Sequence, residues 1–585
     1  MNANQNSGAA DSAKQQTQRP KLEIETVAAL AATVLVGVWL FLAMVCAGPL
    51  WRDETNTLNV ALMPLSELWK NLPFESFPPL FLLILRVWSF LGMAGNDAGI
   101  RLLSFFIGLL FLVSLWLCVR WIGGRAPTLT LALLGSLPAF IFTMSSNRAY
   151  GLAMCLLLLT FGTIWRVVEF PSKVRILAAG LTSLLFAHCL YYDVIFLGAI
   201  LIGACLVVIR RRQWRILGAL FGFGTLIGVT LLVYAPTLQS GSTHARVTRG
   251  PFTFEVLWIK LNDALSRRSS GQIPGCEISE VWLWLALIAV AILTALVMQY
   301  RRGKVSPRET GVAVNSNGAD LALFSISSLL CGVAAYLFFL FRLKFPTQAW
   351  YYMGVLTLCA VTLEAVLNVS WRATRPWHFW RIALLVLLAA WTAPAMWREA
   401  HTRRTNVDLV AAVLKEKAKA GDFIVVHFAF EGITFERYYD GKAPWLTVPP
   451  IGSHKVHRSD LIWEKMHERN PMGPVLAEAT KALRSGNSVW VAGRIPRVPQ
   501  QLPAPRPPNS SDQRGWSLEE FGRHWASQLT AHLLSRATET RSFTDTSNVP
   551  VNFFENLPLL QFSGYKHSAE QTPVSQISGE QITRR

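Results

Sequence analysis

The sequence predicts a polytopic α-helical membrane protein of about eleven spans, with a small C-terminal extracytoplasmic α/β domain. Three observations predict it. The 585-residue chain is 52% hydrophobic, with mean hydropathy +0.34 and 16% charged residues, where soluble domains carry about 25%. The missing charge is not spread evenly but vanishes in repeated blocks of about 20 residues, the length that crosses a hydrocarbon core about 30 Å thick. After residue 397 these blocks stop, and helical and strand-like patterns alternate instead.

Taken in order, residues 1–25 are rich in Asn, Gln, Ser and Ala and read as a disordered cytoplasmic tail. The apolar stretch 27–47 is too long for the core of a cleaved signal and suits an anchoring span. Further spans are predicted at 100–122, 127–145, 150–166, 174–190, 192–209, 215–235, 281–299, 320–341, 349–368 and 379–397. The run 79–93 is shorter and carries Arg86 at its middle.

Whether 79–93 crosses sets the sidedness of everything after it. If it does not, the strongest basic clusters share one side with the N-terminal tail: Arg120/Arg125, Arg166/Lys173/Arg175, Arg210 to Arg212, Arg301/Arg302/Lys304 and WRATRPWHFWR (371–381). If it does, they part from the tail, against the bias of Lys and Arg to cytoplasmic loops. It is therefore an interfacial or re-entrant helix. WRDETNT (51–57), MSSNRAY (144–150), the 236–280 loop and everything from about 398 then face outward.

The transmembrane domain is assigned to 26–400 and the α/β domain to 401–565, with a disordered tail at 566–585. NVDLVAAVLKEKAKA (406–420) has helical periodicity and ends at Gly421, FIVVHF (423–428) reads as a buried strand, and FERYY (435–439) as part of a helix. A further helix at 474–485 leads through Gly486 into the strand SVWVAG (488–493), and a Pro-rich loop follows at 494–508.

The formal charge of +19 suggests nucleic acid at first. Its Lys and Arg, however, cluster in short loops between apolar blocks, which sets membrane orientation, and no nucleic-acid partner is expected. Seven of the eight cysteines lie in or beside apolar segments, Cys276 stands alone in a loop, and no CxxC occurs, so a disulfide framework is not expected. A phosphate-binding GxxxxGK[ST] loop, an HExxH and a GxSxG elbow are all missing.

Chemistry-bearing residues gather in four outward-facing places. Asp53 and Glu54 follow the first span by only a few residues; a carboxylate there can act as a general base or help hold a divalent cation, and equally can be a solvated turn. Arg148 and Tyr150 end MSSNRAY, where a guanidinium fits phosphate oxygens and a phenol adds a donor. His188, Tyr191 and Tyr192 lie in FAHCLYYDVIF (186–196), as cavity residues or as a hydrogen-bonded histidine with interfacial tyrosines. Arg342, Lys344 and Tyr351 lie in FRLKFPTQAWYYMG (341–354), where two cations beside aromatic rings suit a lipid phosphate or a membrane anchor. Arg101 can neutralise a phosphate or snorkel to headgroups.

In their order these segments resemble the GT-C glycosyltransferases of the protein O-mannosyltransferase-like branch, which includes bacterial aminoarabinose transferases acting on lipid A. The acidic pair of WRDE follows the first span. SFPPLFLLILRVWSFLGMAGNDAGIRLLSFFIGLL (76–110) is similar to the family's HPPL…LFG…RL stretch, MSSNRAYGLAM to its S-x-x-x-R-x-Y segment, and AHCLYYDVIF to its His-Tyr segment. TQAWYYMGVLTL is a looser match to a late Arg-Tyr-Leu-Pro span. The likeness covers about residues 27–400. Phe77 stands where the family has His, Gln348 near where many relatives have Arg, and Glu75 beside Phe77 is a further polar residue.

The resemblance implies a glycosyltransferase in the bacterial inner (plasma) membrane. It would take a sugar from a polyprenyl-phosphate donor to a lipid, glycan or protein acceptor at the outer face, with inversion. Asp53 would be the general base, Glu54 would orient the acceptor or help hold a divalent cation if one is used, and Arg148 with Tyr150 would stabilise the departing lipid phosphate, with Arg101, Arg342 and Lys344 in support. His188, Tyr191, Tyr192 and Tyr351 would line the cavity. FERYYDGK (435–442) is polar and aromatic enough for glycan contacts, although an amphipathic helix accounts for it as well. The rival class is a polytopic transporter or lipid flippase; such proteins place their polar sites near mid-membrane, whereas these candidates share one face.

Overall fold

The computed structural model describes residues 23–75, 77–244, 252–273, 278–304, 316–344, 347–371, 375–498, 518–543 and 547–567. The expected tails, apart from 23–25 and 566–567, Cys276 and most of the Pro-rich loop lie outside these residues.

An 11-residue helix, α2 (Arg52–Leu62), follows α1 (Ile24–Cys46) across a short turn. At Gly48 φ is +67° and an added Cβ would meet the Arg403 guanidinium at 3.0 Å, so the turn there requires glycine. Then come α3 (Leu65–Asn71) and α4 (Leu80–Phe90). With 11 residues α4 is about 16 Å long and cannot cross a bilayer core, as expected of 79–93. The long helix α5 (Asp97–Trp121) begins at Asn96, whose side chain accepts from Gly99 N.

The expected span 127–145 is broken. α6 (Thr128–Leu134) and α7 (Pro138–Ser145) meet at 88°, because Gly135 ends the first and the ring of Pro138, which has no N–H to donate, starts the second. The bundle continues through α8 (Ala149–Glu169), α9 (Lys173–Ala187), α10 (Asp193–Arg210), α11 (Trp214–Leu231), α12 (Ala235–His244), α13 (Phe254–Ala264), α14 (Val281–Lys304), α15 (Ser316–Leu343), α16 (Met353–Trp371) and α17 (Arg375–Ala400).

Among the described residues, nine helices are long and apolar enough to cross a membrane, and ten if the bent pair counts as one. The eleventh expected span, 174–190, corresponds to α9, which has only 15 residues and begins with Lys173 and Arg175. It still carries the chain back along α8. Thr163 and Thr182 hydrogen-bond at 2.9 Å, and Tyr150 at the start of α8 lines the same cavity as Asp193 at the start of α10.

Beyond α17 the chain forms α18 (Val407–Lys417), β1 (Phe423–His427), α19 (Gly432–Tyr438), β2 (Trp445–Val448), α20 (Ser459–His467), α21 (Gly473–Arg484), β3 (Val489–Ala492), α22 (Leu518–Arg536), β4 (Ala537–Ser542) and β5 (Leu559–Tyr565). The sheet order is β2-β1-β3-β5-β4. β1 pairs parallel with β2 and β3, and β5 antiparallel with β3 and β4. Both faces are covered: Val425, Val489 and Val491 pack on one side, and Ile424, Val426 and Trp490 on the other. That is why FIVVH and VWVA read as continuous apolar runs rather than alternating ones.

This α/β unit is seated on the end of the bundle that holds α2. The Tyr438 hydroxyl accepts from Leu50 N at 2.8 Å and donates to Asp97 at 2.6 Å, and Arg437 pairs with Asp97 at 2.6 Å. Of FERYY, Arg437 and Tyr438 thus meet the bundle, while Phe435 and Tyr439 pack in the core of the α/β unit and Glu436 is exposed. Arg404 donates its backbone N–H to Ala47 O at 2.7 Å and lies over the Phe142 ring, tying the end of α17 to the same turn.

Candidate functional site

WRDE forms the first turn of α2. Two carboxylates there favour the helix N-terminus electrostatically, but they have separate fates. Glu54, the third helical residue, reaches back to accept from Trp51 N at 3.3 Å, as in a capping box. Its other oxygen pairs with Arg101 and accepts from Asn147 N at 2.8 Å. The Glu54 carboxylate is fully buried and does not line a cavity. Arg101 is held in turn by Pro49 O at 2.7 Å. Sequence reasoning assigned both residues to substrate; the structure places them in a buried ion pair that joins α2, α5 and the start of α8.

Asp53, one residue earlier, faces a small cavity with room for about one water molecule, lined by Trp51, Asp53, Phe142, Thr143, Ser146, Arg148, Tyr150 and Trp350. WRDETNT and MSSNRAY therefore interlock. Besides the Glu54–Asn147 bond, Arg148 Nη1 donates to Asp53 O at 2.8 Å and Thr57 Oγ1 at 2.7 Å. Arg148 also pairs with Glu75 at 3.0 Å, and Glu75 accepts from Asn56 at 3.0 Å and Thr57 at 2.9 Å. The Phe77 ring, at the position where the family has His, lies 4.9 Å from the Arg148 guanidinium. Glu75 was noted in the sequence but not placed among the leading residues; its link to Arg148 is a contact of the fold.

Two further groups were missed. His457, in the loop between β2 and α20, places Nε2 3.3 Å from Asp53 Oδ1, and its backbone N–H donates to Asn56 Oδ1 at 2.9 Å. Arg52 Nη1 pairs with Glu431 at 2.5 Å, and Arg52 N donates to Glu555 Oε2 at 2.7 Å. All three acceptors or partners lie in the α/β unit, some 380 to 500 positions along the chain, and nothing near them in sequence marks them.

The charges act on the carboxylates as geometry requires. Burial alone would raise the Asp53 carboxyl, but the His457 hydrogen bond and the charges of Arg148, His457 and Arg52 outweigh it, holding Asp53 below the usual carboxylate range. Glu555 goes the other way: burial pushes it up to about 8, against the pull of Arg52.

The remaining candidates divide. Tyr150 lines the Asp53 cavity, and the Tyr351 ring lies 5.8 Å from its own. Tyr192 lines an adjoining, closely packed crevice with Ala153, Met154, Leu157, Leu190, Asp193 and Met353, and Tyr150 and Trp350 border both. The Tyr191 hydroxyl is buried without a hydrogen-bond partner among the described residues. His188 is satisfied inside the bundle by Tyr234 at 2.7 Å and Thr230 at 3.0 Å and lines neither cavity. Arg342 and Lys344 are exposed at the end of α15 and line neither.

For a divalent cation the donor set does not fit. Glu54 is consumed by Arg101, and Asp53 has His457 and two guanidiniums around it. No group of three His, Cys, Asp or Glu side chains converges among the described residues. The arrangement offers a charged carboxylate and a buried guanidinium at one small cavity, with a closely packed crevice beside it.

No protein-family model matches the chain, and no curated protein matches it. It is similar to two solved structures of ArnT from Cupriavidus metallidurans. One is bound to undecaprenyl phosphate, with 14% identity and a TM-score of 0.43. The other is in the apo state, with 15% identity and a TM-score of 0.36. Each alignment covers 79% of this chain and 92% of the other.

Proposed function

We propose that this protein is an integral-membrane glycosyltransferase that moves a sugar from a polyprenyl-phosphate donor to an acceptor at the outer face of the membrane, with inversion. The observation that carries the reading is the juxtaposition of Asp53 and Arg148 on one cavity. The motif order that resembles the protein O-mannosyltransferase-like branch supports the same reading.

In this reading the acceptor enters beside Asp53, which takes the proton from its hydroxyl or amine as that group attacks the anomeric carbon. The bond from that carbon to the lipid phosphate breaks, and its electron pair stays on the phosphate. Arg148 faces that growing charge in a site largely closed to water, where a fixed cation acts most strongly. Glu54 and Arg101 hold the frame rather than the substrate. The N-terminus lies in the cytoplasm and the α/β unit outside.

The test uses the full-length protein, decaprenyl-phosphate-linked mannose, glucose and aminoarabinose, and a membrane extract as acceptor source. Asp53→Asn lowers sugar transfer by about 10²- to 10⁴-fold, the range of general-base catalysis, while binding of decaprenyl phosphate changes less than threefold. Equal transfer by both proteins removes Asp53 as the base. Failure of every donor to turn over overturns the transferase reading in favour of a transporter or flippase.

A further inference from the structure

We infer that His457 of the α/β unit is a positioning residue for Asp53: its Nε2 holds the carboxylate in place and aimed at the cavity. The inference rests on the glycosyltransferase reading above.

Geometry supports it from three sides. First, His457 does not line the cavity; it stands behind Asp53, with Nε2 3.3 Å from Oδ1. A base oriented by a third group is the general arrangement for activating a nucleophile. Second, the loop carrying it is pinned. Val456 is 3% exposed and packs into the core of the membrane bundle. Asn59 donates to Lys455 O at 2.8 Å, Asn56 accepts from His457 N, and the Phe430 ring stands edge-on to the imidazole at 5.1 Å. Third, both side chains are partly exposed, His457 21% and Asp53 26%, so packing alone does not fix the carboxylate and a hydrogen-bond partner is needed to aim it.

The proton follows a balanced path. The acceptor's O–H or N–H bond breaks as its bond to the anomeric carbon forms, and the proton passes to Asp53 Oδ. From there it passes to bulk water, which the partly exposed Asp53 side chain reaches, and this restores the carboxylate. The charged groups about the pair are Arg52 and Arg148 from the bundle and Glu431, Lys455, Arg458 and Asp460 from the α/β unit; Arg458 and Asp460 pair with each other at 2.6 Å.

The experiment compares full-length wild type with His457→Phe, His457→Gln and His457→Gly. In turnover, His457→Phe lowers kcat at least tenfold with KM for decaprenyl-phosphate sugar changed less than twofold, and its acid limb moves to higher pH because Asp53 loses the partner that keeps it ionised. Imidazole added to His457→Gly restores part of the rate. A second readout needs no turnover: carbodiimide labelling of Asp53, followed by mass spectrometry, requires the protonated carboxyl and sets in at higher pH in His457→Phe than in wild type. Where His457→Phe unseats the loop, seen as protease cleavage between 449 and 458, His457→Gln decides with the same readouts. An unchanged labelling profile together with no imidazole rescue overturns the inference. If Asp53→Asn abolishes transfer and the His457 variants leave both rate and profile unchanged, this inference alone fails; if Asp53→Asn leaves transfer intact, the base assignment beneath it fails.

Discussion

Glu75 Oε1 lies 3.0 Å from Arg148 Nη1, and both side chains are almost wholly buried. The guanidinium facing the cavity is thus already paired on its far side, which keeps it in place and tempers its charge. Glu75→Gln keeps the shape of the side chain and removes the countercharge. Affinity for undecaprenyl phosphate in detergent then rises about three- to tenfold, roughly 1 kcal/mol, while the melting temperature falls. Unchanged affinity would show that Arg148 does not face the lipid phosphate.

Glu54 and Arg101 form a pair of which neither member reaches water. Removing one member of such a pair leaves the other charge buried, at a cost of about 3 to 5 kcal/mol. Glu54→Leu and Arg101→Met each lower the thermal midpoint sharply, and the double variant recovers much of the loss. An additive double variant would mean that the two residues act separately. Their loss of activity should follow the loss of folded protein, unlike that of Asp53→Asn.

Seating of the α/β unit depends on pH through Glu555. Its pKa in the folded protein, about 8, is above the ordinary carboxylate value. A raised acid contributes stability that is fully present below the ordinary value, near pH 4.3, and is lost as pH rises through about 8. Protection factors for hydrogen exchange at residues 549–556, corrected for the intrinsic rise of exchange with pH, should therefore fall between about pH 4.3 and 8 in wild type and lose that dependence in Glu555→Gln. Identical profiles would remove Glu555 as the titrating group.

Sidedness has a direct test. Asp440 is exposed and its only described ion pair is with Lys415, itself at the surface. A cysteine at Asp440→Cys is labelled by an impermeant maleimide from outside intact cells. Labelling only after the cytoplasm is opened would reverse the proposed orientation.

Much of the architecture was legible because membrane solvent writes itself into composition. Blocks of apolar residues, the short run 79–93 and the strands FIVVH and VWVA all matched elements. The bend at Gly135 and Pro138 was marked in the sequence but masked by the even hydropathy around it. α9 was read long because the apolar run continues past Ala187, where the helix ends. In the site, Asp53, Arg148 and Tyr150 come together, since each lies at the end of a span where the chain meets water. Glu54 and Arg101 read as substrate residues because charge beside a span looks alike whether it faces a ligand or another charge. His457, Glu431 and Glu555 had no local signal: an unremarkable polar loop becomes part of the site only through contacts made across most of the chain.

His457 and Asn56 meet although they stand 401 positions apart. With synthesis running at about 5 to 20 residues per second, Asp53 leaves the ribosome tens of seconds before the histidine that completes it. A nascent chain halfway into the membrane thus holds the carboxylate without its companion. On the reading proposed above, the enzyme reaches its full rate only once the α/β unit has been exported and docked.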